Sequence, residues 1–200
     1  MASFADDAAG LLSELNIAEI DVIGISFGGM VAQHLAIRHP KLIRKLVLAC
    51  TSPGGKTYSS ADLLQLMDLP LEERQKTWLE MYDTRYQSGS TGKQFVYLLE
   101  KLITRNPSMF PNEASKGLMR QITARSSHDL SGDLRKISHQ CLVVGGRYDG
   151  IAPPENLHYL SNNLQNCELR FFEGGHSFLW EDESAWKSIS AFLAEDDGTL

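Results

Sequence analysis

The stretch that decides the fold is "VIGISFGGMVAQHLA", residues 22–36. Its apolar, partly β-branched start ends at Gly24-Ile25-Ser26-Phe27-Gly28, and a segment with helical spacing follows at once. A serine between a strand and a helix stands at a sharp corner that lifts its side chain off the end of a sheet. Such a corner needs small neighbours, and we expect Gly24 and Gly28 to supply them, with Gly29 extending this, because they carry no Cβ.

Apolar runs and helical spacings alternate on both sides of this stretch. The runs that predict buried strands are residues 20–25, 45–50 ("KLVLAC"), 140–145 ("QCLVVG") and 167–172 ("CELRFF"). The patterns that predict helices are residues 3–15, 28–38, 156–164 and 184–193. This alternation predicts the α/β class, with about four parallel strands whose two faces are covered by helices.

The segment between the second and third predicted strands is too long for a simple crossover and contains little strand pattern. Helical spacing recurs near residues 60–67, 70–86, 93–105 and 111–126. We expect residues 53–137 to form an inserted helical lid, and residues 1–52 and 138–200 to form the core domain. The apolar side chains expected to form the interior of the lid, with some lining a substrate cavity, are Met67, Trp78, Met81, Tyr82, Phe95, Tyr97, Met109 and Phe110.

Two further polar residues follow predicted strands in the way that Ser26 does. Asp149 lies just past the third strand in "VVGGRYDGIAPPE", and His176 lies just past the fourth in "FFEGGHSFLWED". The carboxyl ends of parallel strands meet at one edge of a sheet, where open α/β sheets bind their ligands. A serine hydroxyl is a poor nucleophile unless a base stands beside it. The order Ser, Asp, His along the chain therefore favours one catalytic constellation.

Other acidic and histidine side chains compete for these roles. Glu173 could replace Asp149 as the acid, although it is very close to His176 in sequence. Glu181 and Asp182 are expected to cap the following helix. His128, at the return from the lid, could contact a substrate, whereas His34 is expected to pack beside the sheet or face solvent.

The constellation resembles the α/β-hydrolase fold family, and most closely its small esterases and enol-lactone hydrolases with a helical cap. The likeness covers residues 3–50 and 138–193, and "GISFGGMVAQHLAIRHPKLIRKLVLACTSPGG" is similar to their strand, elbow, helix and next strand. The resemblance implies that Ser26 is the nucleophile, His176 the general base and Asp149 the acid that orients it. It also implies that the backbone N–H of Phe27 stabilises an oxyanion, and that the substrate is a small carboxylic ester or lactone.

The chain departs from that family at its N-terminal side. The family's sheet has earlier strands and an HG-type loop that gives a second oxyanion donor, and no HG-type sequence precedes Ser26. Three interpretations remain open. The chain could be a shortened product or fragment of a hydrolase with impaired activity. It could form a homodimer, or pair with another chain, so that the strand at 20–25 is covered. It could also be a non-catalytic ligand-binding or interaction module.

Composition excludes several other classes. The 200 residues carry 19 Lys and Arg against 25 Asp and Glu, a net charge of −6, which disfavours nucleic acid and anionic membranes as partners. No apolar run approaches the roughly 18 residues of a membrane span, and the start has no signal-peptide pattern, so we expect a cytoplasmic protein. Cys50, Cys141 and Cys167 are expected to be reduced thiols. Neither metal-ligand spacing nor a phosphate-binding glycine loop is present, so we expect no metal and no cofactor.

Overall fold

A computed structural model describes residues 1–88, 101 and 116–195 of the chain. Within these residues, β1 (Ile20–Ile25), β2 (Ile43–Ala49), β3 (Gln140–Gly146) and β4 (Asn166–Phe172) form one sheet. All neighbouring pairs are parallel, and the spatial order β1-β2-β3-β4 follows the chain. The predicted α/β class with a partial parallel sheet is confirmed, and each strand lies close to its predicted bounds.

Helices connect and cover these strands. In chain order they are α1 (Ala2–Glu14), α2 (Phe27–Arg38), α3 (Leu63–Met67), α4 (Leu71–Tyr82), α5 (Lys116–Ser126), α6 (Pro154–Asn163), α7 (Phe178–Glu181) and α8 (Glu183–Ala194). α2 joins β1 to β2 and α6 joins β3 to β4, as parallel pairing requires. The short α7 was not predicted, because a single helical turn has no recurring apolar spacing.

The two faces of the sheet pack against different helices. Leu46 and Leu48 of β2 point into a cluster with Ala32 and Leu35 of α2, and residues of α1 and α6 complete that cluster. Val47 and Ala49 of β2 point into a second cluster, to which residues of α7 and α8 also belong. Because both faces are buried, β2 and β3 have nearly continuous apolar sequences rather than an alternating pattern.

β1 lies at one edge of the described sheet. It pairs with β2, and no strand of residues 1–88 or 116–195 pairs with its other edge. Ile23 is 38% exposed there, although the apolar sequence of β1 is typical of a central strand. The expectation that a second chain covers this strand stays a prediction.

The predicted lid is described only in part. Its first two helices are present as α3 and α4, whereas most of the predicted helix at 93–105 and the start of the one at 111–126 lie outside the described residues. The predicted apolar residues Phe95, Tyr97, Met109 and Phe110 also lie outside them. α4 ends earlier than predicted because Asp83 leaves helical geometry with φ −146°, and its carboxylate accepts the N–H of Arg85. The bounds 53–137 stay a prediction.

Two further features are the state of the cysteines and the length of the described helices. Cys50, Cys141 and Cys167 are free thiols, and the first two are buried. Among the described residues, every helix is too short or too polar to cross a lipid bilayer.

Candidate active site

Ser26 occupies the turn between β1 and α2. Its backbone has φ 53° and ψ −116°, a conformation that is rare for a residue with a side chain. Hydrogen bonds hold the turn: the N–H of Ser26 donates to the carbonyl of Ala49 at 2.8 Å, and Thr51 Oγ1 donates to the carbonyl of Ser26 at 2.7 Å. Strained residues held in this way are concentrated at functional sites.

Two of the three glycines expected at the corner are closely packed. A Cβ on Gly24 would lie 2.7 Å from the Cα of Gly29, and a Cβ on Gly29 would lie 2.6 Å from the Cβ of Thr51. At Gly28, no heavy atom of the described residues lies within 4 Å of such a Cβ. The steric reason assigned to Gly28 is therefore wrong, and close packing requires glycine at 24 and 29.

This difference predicts a loss of stability for one of two neighbouring substitutions and no change for the other. Gly29→Ala is expected to lower the free energy of unfolding by about 1–3 kcal/mol, because its methyl group displaces Thr51. It should also lower kcat, since Thr51 holds the carbonyl of Ser26. Gly28→Ala is the matched control and should keep both values. Urea denaturation and ester hydrolysis measure the two, and equal losses in both variants would contradict this steric account.

Asp149 is held in a buried loop after β3. Its side chain is fully buried, and Oδ1 accepts the backbone N–H groups of Ile151 and Ala152, each at 2.8 Å. Such a turn, in which an aspartate bonds the backbone just after it, fixes the carboxylate without using its second oxygen. Oδ2 is therefore free to bond His176, at 2.8 Å from Nδ1.

His176 joins the other two side chains. Its Nδ1 lies 2.8 Å from Asp149 Oδ2, and its Nε2 lies 2.9 Å from Ser26 Oγ. An ionised carboxylate can only accept, so Nδ1 carries the proton and Nε2 presents its lone pair to the serine hydroxyl. The imidazole is 10% exposed, which leaves little room for water around it. The structure thus brings together the three side chains that the sequence placed at one edge of the sheet.

Phe27 is the first residue of α2 and directly follows Ser26. The first N–H groups of a helix have no carbonyl partner within the helix, and they form the positive end of its dipole. The ring of Phe27 packs edge-on against Phe4 of α1, with centroids 5.4 Å apart. This position makes its backbone N–H available to an anion beside Ser26.

The competing acids have other partners. Glu173 is 62% exposed and forms ion pairs with Arg147 at 3.5 Å and Arg85 at 3.7 Å. The carboxylate that bonds His176 is that of Asp149. Asp182 caps α8 as predicted, because it accepts the N–H of Ser184 at 3.0 Å. The cap predicted for Glu181 is wrong: its Oε1 accepts the N–H of Gly175 at 3.0 Å. The sequence could not indicate this bond, since it depends on how the loop after β4 folds back.

Tyr82, at the end of α4, also contacts the site. Its carbonyl accepts the N–H of His176 at 2.7 Å, and its ring lies edge-on to the imidazole at 5.5 Å. Ser177 Oγ donates to the Tyr82 hydroxyl at 2.5 Å, and burial raises the pKa of that phenol. The sequence placed Tyr82 only among the apolar residues of the lid, because the two contacting segments are far apart along the chain.

His128 contacts a cavity rather than the serine. Its Nε2 lies 3.2 Å from the carbonyl of Ser52, and its ring packs against His34 at 5.4 Å. Burial lowers the pKa of His128 to about 4, so the ring is neutral at pH 7. The cavity beside it has a volume of about 400 Å³ and reaches Met30, one helical turn beyond Ser26. Its other lining residues are mostly polar, among them Ser59, Ser60, Asp62, Arg125 and Asp129.

One group of side chains could in principle ligate a metal. The ligating atoms of Cys50, Asp149 and His176 lie within 4.8 Å of one another. A cation there would have to displace the Nδ1 proton, and it would also have to deprotonate Cys50, whose pKa is raised by burial and by Asp149. The arrangement therefore fits the hydrogen-bonded chain better than a metal centre.

Comparisons with known proteins bear on the fold family and on the class of activity. Residues 1–183 match the alpha/beta hydrolase fold family. The chain is 30% identical to the 2-hydroxymuconate semialdehyde hydrolase of Pseudomonas putida, with 98% of this chain aligned to 70% of that protein. It is 28% identical to the pimeloyl-[acyl-carrier protein] methyl ester esterase of Vibrio cholerae, over 85% of this chain and 68% of that one.

Solved structures show the same fold. The enol-lactonase from Burkholderia xenovorans superposes with a TM-score of 0.75 at 19% identity, covering 96% of this chain and 72% of that one. At that identity the likeness concerns the fold alone. Together with the family match and the 30% identical relative, it leads to a definite assignment: the chain belongs to the α/β-hydrolase fold family and is an enzyme of that hydrolase type.

Proposed function

We propose that the chain is a serine hydrolase that cleaves a small carboxylic ester or lactone. Ser26 is the nucleophile, His176 the general base, and Asp149 the residue that orients the imidazole. The observation that carries this proposal is the position of His176, whose two ring nitrogens lie 2.8 Å from Asp149 and 2.9 Å from Ser26. Hydrogen bonds from a serine to a histidine and from that histidine to a carboxylate convert a weakly nucleophilic hydroxyl into a reactive one.

In the first half of the reaction, Ser26 Oγ attacks the carbonyl carbon of the substrate while His176 Nε2 takes the hydroxyl proton. The carbonyl oxygen becomes a tetrahedral oxyanion, to which the N–H of Phe27 donates. Collapse of this intermediate breaks the bond to the alkoxide, and His176 returns the proton to it. Asp149 stabilises the imidazolium between these transfers without taking the proton itself.

In the second half, water replaces the alcohol. His176 takes a proton from the water, whose oxygen attacks the acyl carbon and forms a second oxyanion. The bond to Ser26 Oγ then breaks, and His176 returns the proton to that oxygen. The products are a carboxylic acid and an alcohol, which in the case of a lactone remain within one molecule.

The cavity beside the elbow supports a small and partly polar substrate. Its lining includes Met30, one helical turn beyond Ser26, whereas Ser26, Asp149 and His176 do not line it. A volume of about 400 Å³ accommodates a small molecule. Four of the apolar lid residues predicted to line a cavity or form the lid interior are described, and none of them lines this one: Met67, Trp78, Met81 and Tyr82. Serines and charged groups are among the residues that do. This lining favours an acyl or alcohol group that carries hydroxyl or carboxyl functions.

A second candidate is the cleavage of a carbon–carbon bond next to a carbonyl by the same three residues. It is favoured by the similarity to 2-hydroxymuconate semialdehyde hydrolase and to the 2-hydroxy-6-oxo-2,4-heptadienoate hydrolase of Pseudomonas putida. A non-catalytic binding module is not favoured, since these relatives are named as enzymes.

Substrate panels separate the two candidates. The proposal predicts that the purified chain hydrolyses short-chain esters and small lactones with a higher kcat/KM than any vinylogous diketone. Comparable or faster cleavage of the diketones would favour the second candidate. Absence of turnover for every member of both panels would contradict both.

A further inference from the structure

The loops that carry Asp149 and His176 are bonded to the end of a helix in the lid segment. The N–H of Gly150 donates to the carbonyl of Met81 at 2.9 Å, and the N–H of Thr84 donates to the carbonyl of Tyr148 at 2.9 Å. The bond from His176 to Tyr82 adds a third connection. The last residues of α4 and Thr84 just after it therefore contact both loops.

A buried group of charges lies at the same place. Arg85 Nη2 is 2.6 Å from Asp83 Oδ2 and 3.3 Å from Glu181 Oε2. The three side chains are 20%, 5% and 11% exposed respectively, so solvent screens them weakly. The guanidinium also lies 4.1 Å from the ring centre of Tyr148, in the loop of Asp149. One cation from the lid segment thus balances two weakly exposed carboxylates, and one of these belongs to α7. A third carboxylate, that of the exposed Glu173, lies 3.7 Å from Arg85 Nη1.

Glu181 connects this group of charges to the loop that carries the general base, His176. Its second oxygen, Oε1, accepts the N–H of Gly175, the residue directly before His176. Residues 174 and 175 are both glycine, so they have no side chains that could hold the loop. Another side-chain contact to this loop is at Glu173, whose N–H donates to Asp182 Oδ2 at 3.1 Å. Glycine is required at residues 174 and 175: Gly174 has φ 125°, and a Cβ on Gly175 would lie 2.2 Å from the carbonyl of Tyr82.

We propose that Arg85 and Glu181 are positioning residues that hold the imidazole of His176 at Ser26 through the amide of Gly175. This inference rests on the proposed function for its effect on rate, and it makes the lid segment part of the catalytic geometry. Without Arg85, the carboxylates of Asp83 and Glu181 repel each other in a poorly screened site. Without Glu181, the N–H of Gly175 loses its acceptor and the loop can shift.

The test uses the full chain with Glu181→Ala, Glu181→Gln and Arg85→Met. Glu181→Ala and Arg85→Met should each lower kcat on the order of 10- to 100-fold, because small displacements of a catalytic group are costly. KM should stay nearly constant, since neither side chain lines the cavity described above. Glu181→Gln should recover most of the loss, because its amide oxygen can still accept the N–H of Gly175. Glu168→Ala is the matched control, as Glu168 pairs with Arg170 on the exposed side of β4.

A spectroscopic measurement separates positioning from mere stability. The proton on His176 Nδ1, shared with Asp149, is expected to give a low-field resonance in the proton NMR spectrum. It should persist in the Glu168→Ala control and in Glu181→Gln, and should broaden or disappear in Glu181→Ala and Arg85→Met. A resonance and a kcat that remain close to the wild-type values in both of the latter would overturn the proposal.

The outcomes stay interpretable if a variant or the proposed reaction fails. If Glu181→Ala does not fold, the resonances and kcat values of Arg85→Met and Glu181→Gln test the proposal. Equal losses of the resonance in those two would contradict a role for the acceptor at Gly175. The resonance needs no turnover, so its loss in Arg85→Met would support the positioning role even if no ester were hydrolysed.

Discussion

Replacing Ser26 with alanine is expected to lower kcat for ester hydrolysis on the order of 10⁶-fold, as seen when the nucleophile of a comparable triad is removed. The reason is that the described site offers His176 no other hydroxyl at 2.9 Å from Nε2. Steady-state hydrolysis with the ester that the wild-type chain turns over fastest measures this effect.

The fold of this variant should be preserved, because the side chain of Ser26 is not what holds the turn. Its backbone N–H and carbonyl make the bonds to Ala49 and Thr51. Ser13→Ala, at an exposed position on α1, is the matched control and should keep wild-type activity. A Ser26→Ala variant that retains a substantial fraction of kcat would mean that another group is the nucleophile.

Asp149→Asn should lower kcat by about 10⁴-fold, the loss known for the same change in a serine protease triad. A neutral amide stabilises the imidazolium poorly, and its NH₂ group can turn towards Nδ1. The imidazole would then favour the tautomer with the proton on Nε2, which cannot accept the proton of Ser26. Measuring kcat as a function of pH for the wild-type chain and for Asp149→Asn determines this loss.

Two controls accompany this substitution. Asparagine keeps an oxygen that can accept the N–H groups of Ile151 and Ala152, so the melting temperature should change little. Asp7→Asn, on the exposed side of α1, should keep wild-type kcat. A small kcat loss in Asp149→Asn would assign the orienting role to a different acid.

The sheet could be predicted from the sequence because its signals are local. A buried parallel strand is a short apolar run, and β1 was predicted with its observed bounds, Ile20–Ile25. The meeting of Ser26, Asp149 and His176 could be anticipated for the same reason, since each follows a strand of one parallel sheet.

What could not be predicted depends on contacts between distant segments. The sequence predicts that α4 continues beyond Tyr82 because residues 83–86 continue a helical pattern. In the structure the helix ends at Tyr82, and Asp83 forms an ion pair with Arg85. Glu181 has the sequence context of a helix cap, and only the folded loop reveals its bond to Gly175. Gly28 and Gly29 are adjacent in the sequence, and only the position of Thr51, which follows β2, shows that Gly29 is the closely packed one.

The most direct test of the central claim is the site of covalent modification by a fluorophosphonate. Such a probe reacts with a serine whose hydroxyl has been activated by a neighbouring base. Peptide mass spectrometry of the labelled wild-type chain should place the phosphonyl group on Ser26, and the Ser26→Ala variant should remain unlabelled. Labelling at another residue, or equal labelling of the two proteins, would contradict the account.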